Sequence, residues 1–338
     1  MSSTLEHRQE CRSRITLGGL SLGDGPAVVI DARISLRDRP AEPPRAPSAP
    51  PWALPEGLSH DPARNAAQGR SARLGGASGA PSAPGAGSPA GPASAEGAAG
   101  APGRGVTLVE PAGAADLPAI AAHAQAVVVG ASWTRDIPLV RAAAGLGLPV
   151  VVERRPGASL EEWLGLADYC AVEGDGRVIL CEGGRPDLSL VRAARAASGR
   201  PVLVDVTGDP GLSAAAVAAG ADGLIAGQDG RALAEEAVTV VGGLLRPESP
   251  ATLPECRAAI DRVDAALATL LERRVELAGI VQRIKPVGGF AGRDMERERA
   301  LVARMALRAP SLGEPGLAPI MNAVIEAGLR LSEQRAAR

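Results

Sequence analysis

Three cations near the C-terminus have spacing that invites chemistry. Arg274 and Lys285 are eleven residues apart, which is about three helical turns, so on one helix they share a face. Arg257 lies seventeen residues before Arg274, about 100° off that face, where it can reach the site of a second copy. Asp294, Arg297 and Glu298 follow in the run RDMERE. Spacing alone leaves two readings open: charges gathered round one site, or solvated i,i+4 partners that each contribute little. Other reactive types are sparse. Cys11, Cys170, Cys181 and Cys256 have no paired spacing, which argues against a disulfide framework or zinc site and for a reducing compartment. His7, His60 and His123 are scattered, and no metal site is expected from them.

The elements that must carry these charges are helices. From Glu255 to Lys285 there is no Pro and one Gly, and Ile260, Val263, Leu267, Leu270, Leu271, Leu277, Val281 and Ile284 recur at helical spacing. This predicts one long helix closed by Pro286. A second is expected from the N-cap Asp294 to Arg308, and a third from about Pro315 to Arg335. A helix spanning about 45 Å is too long to bury its apolar stripe against two shorter ones, so an intertwined homodimer is expected.

The chain has 338 residues, enough for two cores, and its 36 Lys+Arg against 38 Asp+Glu leave it near neutral. That balance gives no footprint for nucleic acid or an anionic membrane. With aromatics at 1 %, any core must be built from Ala, Val, Leu and Ile. The polar N-terminus has no apolar signal region, and no apolar run is long enough to span a bilayer; a cytoplasmic protein is expected. Residues 1–36 read as a tail and a first strand. Residues 37–105 are dominated by Pro, Ala, Gly and Ser and are expected to be disordered. Over 106–246, short β-branched runs (VTLV, AVVVG, PVVVE, RVILC, PVLVD, GLIAG) alternate with Ala/Leu-rich stretches at the spacing of βα units. With AVVI at Ala27 they make seven strands. A TIM-barrel-like α/β domain lacking one strand is expected, with a doubly wound open sheet as the alternative. Residues 247–254 read as a linker and 255–338 as an all-helical domain.

The string ECRAAIDRVDAALATLLERRVELAGIVQRIK followed by RDMERERALV is similar to the AroQ class of chorismate mutases, over the last quarter of the chain. The resemblance implies a three-helix fold and the rearrangement of chorismate to prephenate, a pericyclic reaction without cofactor or metal, driven by positioning and electrostatics. It also assigns roles. Arg274 and, from the neighbouring subunit, Arg257 would grip the substrate carboxylates bidentately, and Lys285 would donate to the ether oxygen. Glu298 would receive the substrate hydroxyl, with Arg297 and Asp294 ordering the start of the second helix. Ser332 departs from the family, which places there a Gln as second donor to the ether oxygen. Losing such a donor costs on the order of a hundredfold in rate, so a slow mutase, or one tuned to a relative of chorismate, is implied.

The segments ITLGGLSLGDGPAVVIDARISL, LVEPAGAADLPAIA, VVVGASWTRDIPLV, ERRPGASLEEWL, VILCEGG and LVDVTG resemble, in order, a type I beta 3-deoxy-D-arabino-heptulosonate 7-phosphate (DAHP) synthase, with PPRAPSAPPWALPEGL a worn phosphate loop. That family's metal-binding Cys, His and Glu fall on Ile34, Gly208 and Gly227; its metal-binding Asp falls on an acid, Glu235. Its catalytic Lys falls on Glu153, and two phosphate-binding arginines fall on Ser132 and Gly183, while Arg154, Cys181 and Glu182 are retained. Ile and Gly offer no ligand atom. The resemblance therefore implies a barrel that does not condense phosphoenolpyruvate with erythrose 4-phosphate, and serves as a scaffold or docks onto a complete DAHP synthase.

Overall fold

The computed structural model describes residues 13–38 and 106–336, apart from 24, 247, 249 and 286. The expected disordered insert beyond residue 38, the worn phosphate loop, Cys11, His7, His60 and Pro286 lie outside the described residues.

The chain opens with a hairpin, β1 (Ile15–Leu17) and β2 (Leu20–Leu22). It turns at Gly18 and Gly19, whose φ angles of 50° and 96° are the left-handed values a two-residue hairpin turn demands. Sequence reading missed this hairpin, although apolar residues alternating around Gly-Gly signal one. The strands that follow are β3 (Val28–Ile30), β4 (Ala32–Ser35), β5 (Thr107–Glu110), β6 (Ala126–Val129), β7 (Val150–Glu153), β8 (Val178–Glu182), β9 (Val202–Asp205) and β10 (Gly223–Ile225). From β5 onward they alternate with α1 (Leu117–His123), α2 (Ile137–Ala144), α3 (Leu160–Glu173), α4 (Leu188–Ser198), α5 (Ser213–Ala218) and α6 (Gln228–Ala237). Side-chain caps start several of these helices: Asp136 on α2, Ser159 with Glu162 on α3, and Asp187 on α4.

All sheet pairings among these strands are parallel, in the order β3-β10-β9-β8-β7-β6-β5-β4. The two ends of that order, β3 and β4, are halves of one segment separated only by Asp31. Val28–Ile30 pairs with β10 on one side and Ala32–Ser35 pairs with β5 on the other, so the sheet closes into a seven-stranded ring. Alternate residues point inward, where Ile30, Leu108, Val128, Val151, Ile179, Cys181, Leu203 and Ile225 form one core with the hairpin's Ile15, Leu17 and Leu22. The outward set, including Val127, Val129, Val152, Leu180 and Val204, packs against Trp163, Cys170 and Val191 of the helices. Both faces are covered, as a parallel sheet requires.

The exit from the ring is anchored at its floor. Arg246 donates to the carbonyls of Ala221 (2.8 Å) and Gly23 (3.1 Å) and pairs with Asp222. Asp222, 0 % exposed, also pairs with Arg195 at 3.2 Å and accepts from the Val202 amide at 2.9 Å.

A π-helical stretch, Val238–Gly242, leads into α7 (Gly243–Leu245), then α8 (Leu253–Ile284), α9 (Met295–Ala306) and α10 (Gly313–Ala336). The long helix starts two residues earlier than expected, because Thr252 and Glu255 form a capping box ahead of Pro254. It ends at Ile284; Lys285 is extended, with φ −67° and ψ 137°, as a residue before proline tends to be. Among the described residues no helix is long and apolar enough to cross a membrane. Asp222→Ala strips a buried cation of its partner, and we expect it to cost the barrel about 3–5 kcal/mol in urea denaturation. Val172→Ala, at a position 84 % exposed, should stay within about 0.5 kcal/mol.

Candidate functional site

Residues expected to act together converge on one end of α8. The Arg274 Nη1 donates to the Val324 carbonyl of α10 at 3.4 Å. Burial, then the nearby Arg297 cation, pulls this guanidinium below its ordinary value, and Glu298 acts the other way. Arg274 thus feels both Arg297 and Glu298. Asp294 caps α9, accepting from the Arg297 amide at 2.9 Å. Lys285 stands just past the end of α8, and its Nζ donates to the Gly292 carbonyl at 2.8 Å. Gly328 of α10 abuts Arg274 and Ala278, and Ser332, partly buried, is one turn further along the same face. The neighbouring Glu333 turns to the connecting loop, accepting from the Phe290 amide at 3.1 Å.

Arg257 does not join them. It is exposed in the second turn of α8, about 26 Å along the axis from Arg274. Sequence reading missed Arg293, which meets both carboxylate oxygens of Glu298 (2.6 and 3.2 Å) and reaches Asn322 (2.7 Å) and Glu326 (3.4 Å) on α10. Its position beside an N-cap was the only signal in the sequence. A cleft of about 300 Å³ between α9 and α10 is lined by Met295, Glu298, Val302, Asn322 and Ile325 among others. Arg274 and Lys285 are not among its walls.

The C-terminal end of the barrel is filled by its own side chains. Arg33 on β4 pairs with Glu110 at 2.6 Å and Glu153 at 2.7 Å. Burial alone would lower the Arg33 pKa, but the two carboxylates outweigh it and hold the guanidinium charged. Glu110 also accepts from Trp133 Nε1 at 2.9 Å, and Glu153 from the Ala131 amide at 2.8 Å. Space for the carboxylates comes from glycines: a Cβ on Gly130 would lie 1.8 Å from Glu110 Oε1, and one on Gly183 would lie 2.4 Å from Glu153 Oε1. Arg154 is turned aside, gripping the fully buried Glu182 at 2.5 and 2.6 Å.

Ile34 packs against the outer core, and Gly208 is exposed beyond β9. Glu235, expected to keep the metal-binding acid's place, instead sits on the exposed face of α6 bound to Arg231 at 2.7 Å. The acid at the end of β9 is Asp205, which caps Thr207. Cys181 is buried inside the ring, and burial, then Glu153 and Asp205, push its thiol up.

The helices and the ring match different proteins. Residues 256–333 match the chorismate mutase type II family model. Upstream of these residues, the α/β region resembles DAHP synthase. The chain is 33 % identical over 135 residues to the phospho-2-dehydro-3-deoxyheptonate aldolase of Thermotoga maritima, a stretch covering 35 % of this chain and 40 % of that protein. The chain thus spans about two fifths of that relative's length. A truncated 3-deoxy-D-arabino-heptulosonate 7-phosphate synthase structure from the same organism is 32 % identical, with a TM-score of 0.35, over 36 % of this chain and 52 % of that one. A second Thermotoga maritima DAHP synthase structure is 33 % identical, with a TM-score of 0.34, over 36 % of this chain and 40 % of that one.

Two expectations follow. Arg33→Met leaves two carboxylates facing each other in the mouth and should destabilise the barrel by about 3–5 kcal/mol, measured by thermal or urea unfolding. A thiol reagent at pH 8 should label the partly exposed Cys256 and spare Cys170, whose thiol burial pushes up to about 12, and Cys181.

Proposed function

We propose that the protein is a homodimeric chorismate mutase whose barrel performs no aldol condensation. The reading is carried by the convergence of Arg274, Arg297 and Glu298 at one end of α8, with a bare apolar stripe at the other. Ile260, Val263, Leu267 and Leu270 are 51–58 % exposed, and all lie within about 40° of the Arg274 flank. Around Arg274 and Ala278 that flank meets α10; from Ile260 to Leu270 it is bare in the single chain. A second copy fits there and brings its Arg257 to the site this chain leaves incomplete.

The chemistry asks for little beyond charge and position. Chorismate is a dianion, and its ether oxygen gains negative charge as the bond breaks, so no nucleophile is needed. Arg274 and the Arg257 of a second copy clamp the carboxylates. Lys285 exchanges the Gly292 carbonyl for the ether oxygen, and Glu298, oriented by Arg293, receives the hydroxyl. Ser332 reaches the ether oxygen only weakly, which makes the enzyme slow. In the barrel, Arg33 and Glu153 take the volume and charge that phosphoenolpyruvate would need, and the family's metal ligands fall on Ile34, Gly208 and Gly227. We place the protein in the cytoplasm, a setting that suits free thiols.

Ser332 also favours a second reading: a pocket that holds chorismate or prephenate without turnover, on a chain that docks to a complete DAHP synthase. Conversion of chorismate by the purified chain decides between them. We expect a measurable rate, lowered on the order of a hundredfold by Arg274→Ala and raised by Ser332→Gln. A rate no faster than the uncatalysed reaction, unchanged by Ser332→Gln, favours the binding protein.

A further inference from the structure

The first half of α8 is a lone helix as far as α9 and α10 are concerned, yet it carries Arg257. An isolated helical segment is marginal in water, and an arginine on a fraying end cannot hold a carboxylate in fixed geometry. The barrel supplies what is missing. Ala266 is the buried residue of α8, and it sits where a Cβ on Gly243 would lie 3.3 Å from its own Cβ and 3.4 Å from the Arg262 carbonyl. A larger residue at position 243 would press on α8, and glycine eases the close approach of α7. Four residues before Ala266, the Arg262 Nε donates to Glu248 Oε1 at 2.9 Å and its Nη2 pairs with Oε2. Glu248 follows Arg246, which is itself fastened to the barrel floor through Asp222 and the Gly23 and Ala221 carbonyls. Two contacts, at Gly243 and at Glu248, therefore tie the end of the barrel to α8. The face it grips, Ala259, Arg262, Ala266 and Thr269, is the less exposed side of this half helix. It adjoins the apolar stripe without covering it.

We propose that the barrel is a splint for α8, holding Arg257, five residues before Arg262, at the angle at which it enters the site of a second copy. This rests on the reading of Arg257 as a residue shared between copies and gives the barrel a task in the mutase reaction. Arg262, Glu248, Gly243 and Ala266 are then positioning residues that touch no substrate.

The test uses the full chain. Ala266→Leu adds bulk where there is no room while keeping a good helix former, and Glu248→Arg puts like charge against Arg262. Each should leave the dimer mass unchanged, raise the KM for chorismate about tenfold with a smaller effect on kcat, and speed hydrogen exchange over residues 253–262. The swap of both charges, Glu248→Arg with Arg262→Glu, should restore KM and protection. In an Arg257→Ala background, Ala266→Leu should cost nothing more. Unchanged KM and exchange in both variants, or losses that add to that of Arg257→Ala, overturn the splint. If Arg257→Ala itself leaves KM untouched while exchange still responds to Ala266→Leu, the shared arginine is the part that fails, and the splint has nothing to aim.

Discussion

The barrel depends on one segment serving two edges. A parallel sheet curled through six strands would present unpaired backbone groups at both ends, an invitation to pair with another chain. Residues 28–35 satisfy β10 with their first half and β5 with their second. The step between the halves falls at Asp31, so one strand does the sealing on both sides and the ring closes with a member fewer than the eight of a TIM barrel. Because β4 comes to lie beside β5, Arg33 is carried to the mouth next to Glu110, and the charge arrangement there follows from the closure.

Much of the α/β region was legible because its strands are buried on both faces and read as continuous apolar runs, such as VVVE at Val150 and VILCE at Val178. The ring itself was not legible, since nothing local in AVVIDARIS says that two neighbours share it. Nor were the mouth's ion pairs, whose partners are brought together across the fold: Arg33 and Glu110 are 77 residues apart. The same limit hid Arg293. Its neighbour Asp294 was recognisable as a cap from adjacent sequence, whereas Asn322 and Glu326 lie 29 and 33 residues away on another helix. Periodicity found α8 and its stripe; placing Lys285 beyond its last turn needed the effect of the following proline to outweigh helix propensity.

In the helical domain, charges expected to face substrate are already engaged within the chain. Lys285 holds the Gly292 carbonyl, Arg274 the Val324 carbonyl, and Glu298 the Arg293 guanidinium. Such contacts keep the side chains in place while solvent occupies the site. The first two are bonds to neutral acceptors, so on the proposed reading a substrate would displace them without leaving a buried charge unmatched. The Glu298 pair is different: it is tied into α10 by Asn322 and Glu326, and it stays as part of the wall.

The two glycines beneath the mouth carboxylates constrain which mutational paths are open to the barrel. A lysine at position 153 would face Arg33 across the space the carboxylate bridges, cation against cation. An arginine at position 183 would collide with Glu153. Each single step toward an anion-binding mouth is uphill while the other residue stays as it is, and Arg33 would have to leave as well. The filled mouth therefore behaves as a ratchet: Arg33, Glu110, Glu153 and the glycines beside them hold one another in place.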